Sequence, residues 1–186
     1  MTRPRIQYAD LSALSDPGML EELARARREG TPRVESHAIR ALVPPVFWSF
    51  VNTWNDVFRS GIVEHEIKEL CRVYVSKSVN CAYCGGQRSM EGAAAGLVED
   101  DYKQLLDFEH ADRYDSRQKA ALSLAEAIAW DREADDTFWS RLHQHFSDAQ
   151  VVELGYFIGF TMGQQRFNRL LDLERHPVPS AATPSV

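Results

Sequence analysis

The sequence predicts an all-α fold, and three observations carry the prediction. Apolar residues recur at three- and four-residue spacing through most of the chain, the period of one helix face. No run alternates apolar and polar residues as a half-buried strand would, and no internal repeat stands out. Helix starts and stops punctuate the apolar stretches, with Pro17, Pro44 and Ser147 opening segments and Gly30 and Gly61 closing them.

The first sixteen residues have little periodicity and are expected to form an arm. From Pro17 to Arg28 a helix places Leu20, Leu23 and Ala24 on one stripe, with Gly30 as its stop. The link GTPRVES leads to Pro44-Pro45, where the next helix should begin. Its body carries Phe47, Phe50, Val51, Trp54 and Phe58, a broad aromatic face suited to a core or a subunit interface. A helix over about 63–79 puts Ile67, Leu70, Cys71 and Tyr74 on one side, so Cys71 reads as an inert core thiol. A short helix follows the acidic EDDYK turn, and His110 falls in a polar linker. Ser116 to Trp130 makes another amphipathic stripe, and 135–146 buries Phe138, Leu142 and Phe146. His143 and His145 are two apart, diverge on a helix, and make a poor metal pair.

The S-x-x-Q capping box at Ser147–Gln150 opens the last long helix. Gly155, Gly159 and Gly163 recur along it every four residues, a pattern that suits close approach by another helix, for which Gly92, Ala93 and Gly96 supply small residues. Residues 176–186 are expected to be a mobile tail, leaving 17–175 as one helical domain.

Composition narrows the function. Hydrophobic residues make up 44% and charged residues 26%, ordinary globular values. A net charge of −6 with no basic stripe argues against nucleic acid. The opening MTRPRIQYAD has no apolar run, and VVELGYFIGF is too short and interrupted to span a bilayer. Three cysteines without an export signal point to a reducing, cytoplasmic setting, where a CxxC is catalytic or metal-binding more often than structural.

The chemistry concentrates in ELCRVYVSKSVNCAYCGGQR, residues 69–88. Cys81 and Cys84 form a CxxC, a spacing that permits a disulfide or a shared metal. Asn80 reads as an N-cap, which would put both thiols in the first turn of a helix, where orphan N–H groups favour thiolate. Helix-dipole physics alone favours the thiol nearer the helix start, Cys81. Glu69 lies on the preceding helix with eleven residues between it and Cys81. His65 is i, i+4 to Glu69 and shares its face, although a histidine near a helix start is ordinarily solvated. Arg88 lies one helical turn after Cys84, on the same face.

This stretch resembles the alkylhydroperoxidase D-like branch of the carboxymuconolactone decarboxylase superfamily, whose signature is Glu, eleven residues, CxxC, three residues and then usually His. Glu69, Cys81 and Cys84 match it, as do the small-residue segment GAAAG (92–96) and the later FSDAQVVEL (146–154), so the likeness covers most of 40–174. The family histidine is Arg88 here. The resemblance implies a helical fold of that type, a trimer-based homo-oligomer, Glu69 as base, Cys84 as the attacking thiol, Cys81 as its resolving partner, and recycling by a dithiol or lipoylated protein. It implies no cofactor.

Guanidinium cannot relay a proton as imidazole does, so Arg88 would instead stabilise thiolate, pair with Glu69, or hold an anionic substrate group, and His65 becomes a candidate for the missing imidazole. The reading is a thiol-dependent peroxidase or related disulfide oxidoreductase acting on a hydroperoxide or anionic metabolite. The alternatives are a decarboxylase or isomerase holding a carboxylate on Arg88, a protein binding metal through Cys81 and Cys84, and an oligomeric scaffold with vestigial thiols. The metal reading lacks a second CxxC or a well-spaced histidine pair.

Overall fold

In a computed structural model, residues 5–178 are described, and they form helices joined by turns with no strand among them. The helices are α1 (Pro17–Glu29), α2 (Val34–Arg40), α3 (Pro44–Thr53), α4 (His65–Ser78), α5 (Ala82–Gly85), α6 (Met90–Ala94), α7 (Ser116–Trp130), α8 (Asp136–His143) and α9 (Asp148–Leu171). Short 3-10 turns lie at Glu99–Tyr102, Leu105–Asp107 and Leu173–Arg175.

Local chemistry explains the boundaries. Asp16 caps α1 by accepting from the Gly18 and Met19 amides, Pro17 fills the first position, and Gly30 closes the helix at φ 67°, a left-handed value glycine adopts freely. Asp115 with Gln118, and Ser147 with Gln150, form reciprocal capping boxes at the starts of α7 and α9.

The core is built on α4, which packs against α7 and α9 while these two also touch each other. The amphipathic stripe expected of α4 understates its burial. Every residue from Ile67 to Ser76 is buried, including Lys68, Glu69 and Arg72. A helix buried all round keeps charges only when they are partnered, and these are. Lys68 Nζ donates to Val57 O (2.5 Å) and to Glu153 Oε1 (3.1 Å) on α9.

α3 runs into a π-helical turn at Trp54–Arg59. Val57 and Phe58 lie in its last turn, where helix carbonyls have no intrahelical donor, and α4 supplies donors: Lys68 for Val57 O and His65 Nδ1 for Phe58 O (3.0 Å). The turn thereby sets the aromatic cluster of Phe50, Trp54, Phe58 and Phe157 against α9.

Three expectations need correcting. The link after Gly30 contains a helix, α2, which has no sequence punctuation beyond its own short length. The cysteine helix is a single turn, and residues 92–96 belong to the separate helix α6 and its end. α6 packs on α4 rather than on the α9 glycines: a Cβ at Gly92 would lie 3.2 Å from Glu69 Cγ, while Cβ atoms at Gly155, Gly159 and Gly163 would meet nothing within 4 Å. Within the expected arm, Leu11 is buried and the Ala9 amide donates to Ala38 O (3.1 Å), while most of residues 5–16 are exposed. Of the expected C-terminal tail, 179–186 lie outside the described residues.

Candidate redox site

α4 ends at Ser78, and Asn80 turns the chain at φ 54°. Asn80 is thus the turn residue, a role for which asparagine tolerates left-handed backbone, and the N-cap of α5 is Cys81 itself. Cys81 Sγ accepts from the Cys84 amide at 3.3 Å. Cys81 and Cys84 are joined as a disulfide with Cα atoms 5.3 Å apart, and Cys71 is free and buried. Burial pushes the Cys71 thiol far up, as expected of a core thiol.

Behind the disulfide lies a buried ion pair that sequence reasoning missed. Arg72 Nε and Nη2 grip Glu69 Oε2 and Oε1 at 2.6 and 2.8 Å, and the Ser89 amide donates to Oε1 at 2.9 Å. The same guanidinium donates to Cys84 O (3.1 Å) and Gln87 O (2.8 Å). Arg72 therefore ties the carboxylate on α4 to the backbone of the cysteine turn. Its planar fork suits this several-sided contact in a way a lysine would not. The i, i+3 spacing of Glu69 and Arg72 is a legible sequence signal, but at a surface it would mean little.

Arg88 does not pair with Glu69 and does not face the thiols. α5 stops at Gly85, so the helix needed to carry Arg88 onto the Cys84 face is absent. Arg88 instead binds Glu99 (2.7 Å), donates to Gly85 O (2.6 Å) and Gln87 O (2.7 Å), and lies 4.1 Å over the Tyr102 ring. It clamps the loop after the cysteines onto the 3-10 turn at 99–102.

His65 is half-buried rather than solvated. Nδ1 donates to Phe58 O, and Nε2 lies 2.6 Å from Ser89 Oγ, whose single proton is shared between this nitrogen and Glu91 Oε2 at 2.9 Å. Burial holds its pKa below the usual range, with the nearby Glu69 and Glu91 acting in opposition. Ser89 thus joins His65, through its hydroxyl, to Glu69, through its amide. None of the contacts of His65 reaches a cysteine sulfur among the described residues.

Cys84 and Cys81 line different cavities that share Asn168 as a wall. Cys84 lines a cavity of about 30 Å³ with Arg72, Arg40, Trp54, Gln165 and Asn168, and Asn168 Nδ2 donates weakly to its sulfur at 3.9 Å. Cys81 lines a second cavity of about 110 Å³ beside Arg169, Asp172 and Glu174. No group of three or more metal-ligating side chains exists among the described residues, and no described helix is long and apolar enough to cross a membrane.

A comparison with protein-family models finds no match. The chain is 27% identical over 98 residues to an uncharacterised protein, YdfG, of Bacillus subtilis strain 168, covering 52% of this chain and 67% of that one. Among solved structures, it is similar to a protein of unknown function from Agrobacterium tumefaciens, provisionally described as the antioxidant-defence protein AhpD. That likeness has a TM-score of 0.63 at 25% identity and covers 75% of this chain and 95% of the other. It is also similar to the debrominase Bmp8, with a TM-score of 0.68 at 19% identity and 91% of each chain covered. The helices around the disulfide therefore make up the AhpD-like fold, an architecture that also serves a debrominase.

Proposed function

We propose that the protein is a thiol-dependent oxidoreductase that reduces a hydroperoxide with its Cys81–Cys84 pair. The observation that carries this reading is the position of Cys84: it lines a small cavity together with Arg40, and its carbonyl is bound by the buried Arg72 guanidinium. Arg40, which lines the same cavity and has no carboxylate partner among the described residues, supplies the charge that favours thiolate once the disulfide is reduced.

In the reduced enzyme, the Cys84 thiolate attacks the outer peroxide oxygen. The O–O bond breaks, an alkoxide leaves and takes up a proton, and Cys84 becomes a sulfenic acid. Cys81 then attacks the Cys84 sulfur, expels hydroxide that leaves as water, and closes the disulfide. Two thiols are oxidised by two electrons, and one hydroperoxide becomes an alcohol and water. An external dithiol, free or on a lipoylated protein, attacks Cys81 through the cavity that Cys81 lines and regenerates both thiols. Glu69, saturated by Arg72 and Ser89, positions the cysteine turn, and His65 acts through Ser89.

The alternative of a decarboxylase or isomerase holding its substrate on Arg88 finds that guanidinium already engaged with Glu99 and Tyr102. Steady-state reduction of tert-butyl hydroperoxide with dithiothreitol tests the proposal. Turnover should be lost in Cys84→Ser and in Cys81→Ser and kept in Cys71→Ser; equal rates in wild type and Cys84→Ser would refute it.

A further inference from the structure

Three polar atoms at the Cys84 cavity are buried without a partner: Arg40 Nη1, Trp54 Nε1 and Gln165 Oε1. Their residues are 7%, 5% and 5% exposed. Buried polar atoms are almost always hydrogen-bonded, so three orphans lining one cavity call for a ligand that completes them.

Arg40 is the informative member. It ends α2, lies 3.5 Å over the Phe50 ring, and donates from Nη2 to Gln164 Oε1 at 2.9 Å. No described carboxylate pairs with it, and burial pushes its pKa down to about 9, which still leaves it charged at neutral pH. A buried cation without a counter-ion is costly, and an anionic ligand removes that cost. Trp54 Nε1 adds a second N–H donor. Gln165 contributes the opposite polarity. Its Nε2 donates to Arg72 O at 3.0 Å, which fixes the amide so that Oε1 is the atom left to accept a proton from a ligand hydroxyl or hydroperoxyl.

Arg40 also lines a neighbouring groove of about 340 Å³, whose walls include Ile39, Leu42, Val43, Val46 and Phe167. Ser36, Gln164 and Asn168 border both spaces, so the groove and the Cys84 cavity meet at Arg40. The ligand chemistry follows from this arrangement: an anionic group at the junction, an apolar body in the groove, and a proton-bearing group towards Gln165 and Cys84.

We propose that Arg40, Trp54 and Gln165 form the binding site for a small organic acid, whose carboxylate sits on Arg40 Nη1 and Trp54 Nε1 and whose apolar body fills the groove. The inference rests on the oxidoreductase reading only for the step after binding: the substrate is then a carboxylate-bearing organic hydroperoxide rather than a neutral one.

Binding is measured without turnover, so the two readings fail separately. Hexanoate and 1-hexanol are titrated calorimetrically into oxidised wild type, Arg40→Gln and Trp54→Phe, and the reduced protein is alkylated with iodoacetamide with and without hexanoate. Hexanoate should bind at least tenfold more tightly than 1-hexanol and slow alkylation of Cys84. Arg40→Gln should abolish the tenfold preference, and Trp54→Phe should weaken hexanoate by a smaller factor. Should Arg40→Gln fail to fold, the hexanoate preference and the alkylation protection in wild type still decide. Equal binding of acid and alcohol, binding that leaves Cys84 alkylation unchanged, or a folded Arg40→Gln that keeps the preference would each overturn the inference.

Discussion

The carboxylate of Glu69 and the guanidinium of Arg72 sit one turn apart on α4 with almost no solvent contact, so neither charge has water to replace its partner. Deleting one member of such a pair strands the other, at a cost of about 3–5 kcal/mol, whereas replacing both with apolar groups is far milder. Arg72→Met should therefore lower unfolding free energy by about 3–5 kcal/mol in urea denaturation, and adding Glu69→Leu should recover most of the loss. A single Arg72→Met variant within about 1 kcal/mol of wild type would show the pair to be dispensable. Arg88 is the contrasting case. Its four-residue offset from Cys84 implied a shared face, but that inference needs a helix continuing past Gly85. The motif spacing was legible in the sequence; the helix end that redirects Arg88 depends on packing around Gly85, where an added Cβ would approach Ser76 Oγ at 3.1 Å.

At the scale of elements, α2 joins the site to the core. Ser36 and Arg40 border the cavity near Cys84, while His37 points into the aromatic cluster, 5.1 Å from Phe47 and 5.6 Å from Phe50 by ring centroids. Burial, then the neighbouring Arg40 and Arg25 cations, drive the His37 pKa well below its usual value, and neither ring nitrogen has a partner. The sign follows from linkage. Folded His37 resists the proton that the unfolded chain accepts, so its contribution is complete above the unfolded pKa near 6.5 and is lost as pH falls from there to the depressed folded pKa. Urea unfolding from pH 8 to pH 5 should show wild-type stability declining below about 6.5, and His37→Phe should flatten that limb. An unchanged slope in the variant would place the acid sensitivity elsewhere.

The same element shows why part of the fold could not be read from the sequence. α1, α7 and α9 were legible because Pro17, Gly30 and the Ser147–Gln150 box punctuate α1 and α9, and Ala121, Leu122, Ala125 and Ala129 recur at helical spacing in α7. α2 has seven residues, no side-chain cap and buried polar residues, so periodicity has nothing to act on. Arg40, Trp54 and Gln165 lie far apart in sequence on three helical segments, and only tertiary packing brings them to one cavity.

At the scale of the whole molecule, the outer face of α9 is unusually apolar. Val152, Tyr156, Phe167 and Leu170 are 71%, 54%, 46% and 72% exposed, and the Gly155–Gly159–Gly163 line has open space where side chains would be. A contiguous apolar face of this kind ordinarily covers itself against another protein surface. We expect a closed homo-oligomer, trimer-based by resemblance, with α9 in its contact. Light scattering at micromolar concentration should give a multiple of the 21.1 kDa chain, and Gly159→Trp should shift it towards the monomer. A wild-type monomer would contradict this.

The central claim is that Cys84 meets the oxidant and Cys81 resolves it, the order that the family resemblance implies, with Cys84 lining the cavity of the unpartnered Arg40, Trp54 and Gln165 atoms. Trapping the sulfenic acid tests it most directly. Reduced Cys81→Ser and Cys84→Ser proteins are each treated with one equivalent of alkyl hydroperoxide in the presence of dimedone, and the adducts are located by peptide mass spectrometry. The account predicts a dimedone adduct on Cys84 in the Cys81→Ser protein, none on Cys81 in the Cys84→Ser protein, and none on Cys71 in either; an adduct on Cys81 with Cys84 unmodified, or no adduct in either protein, would contradict it.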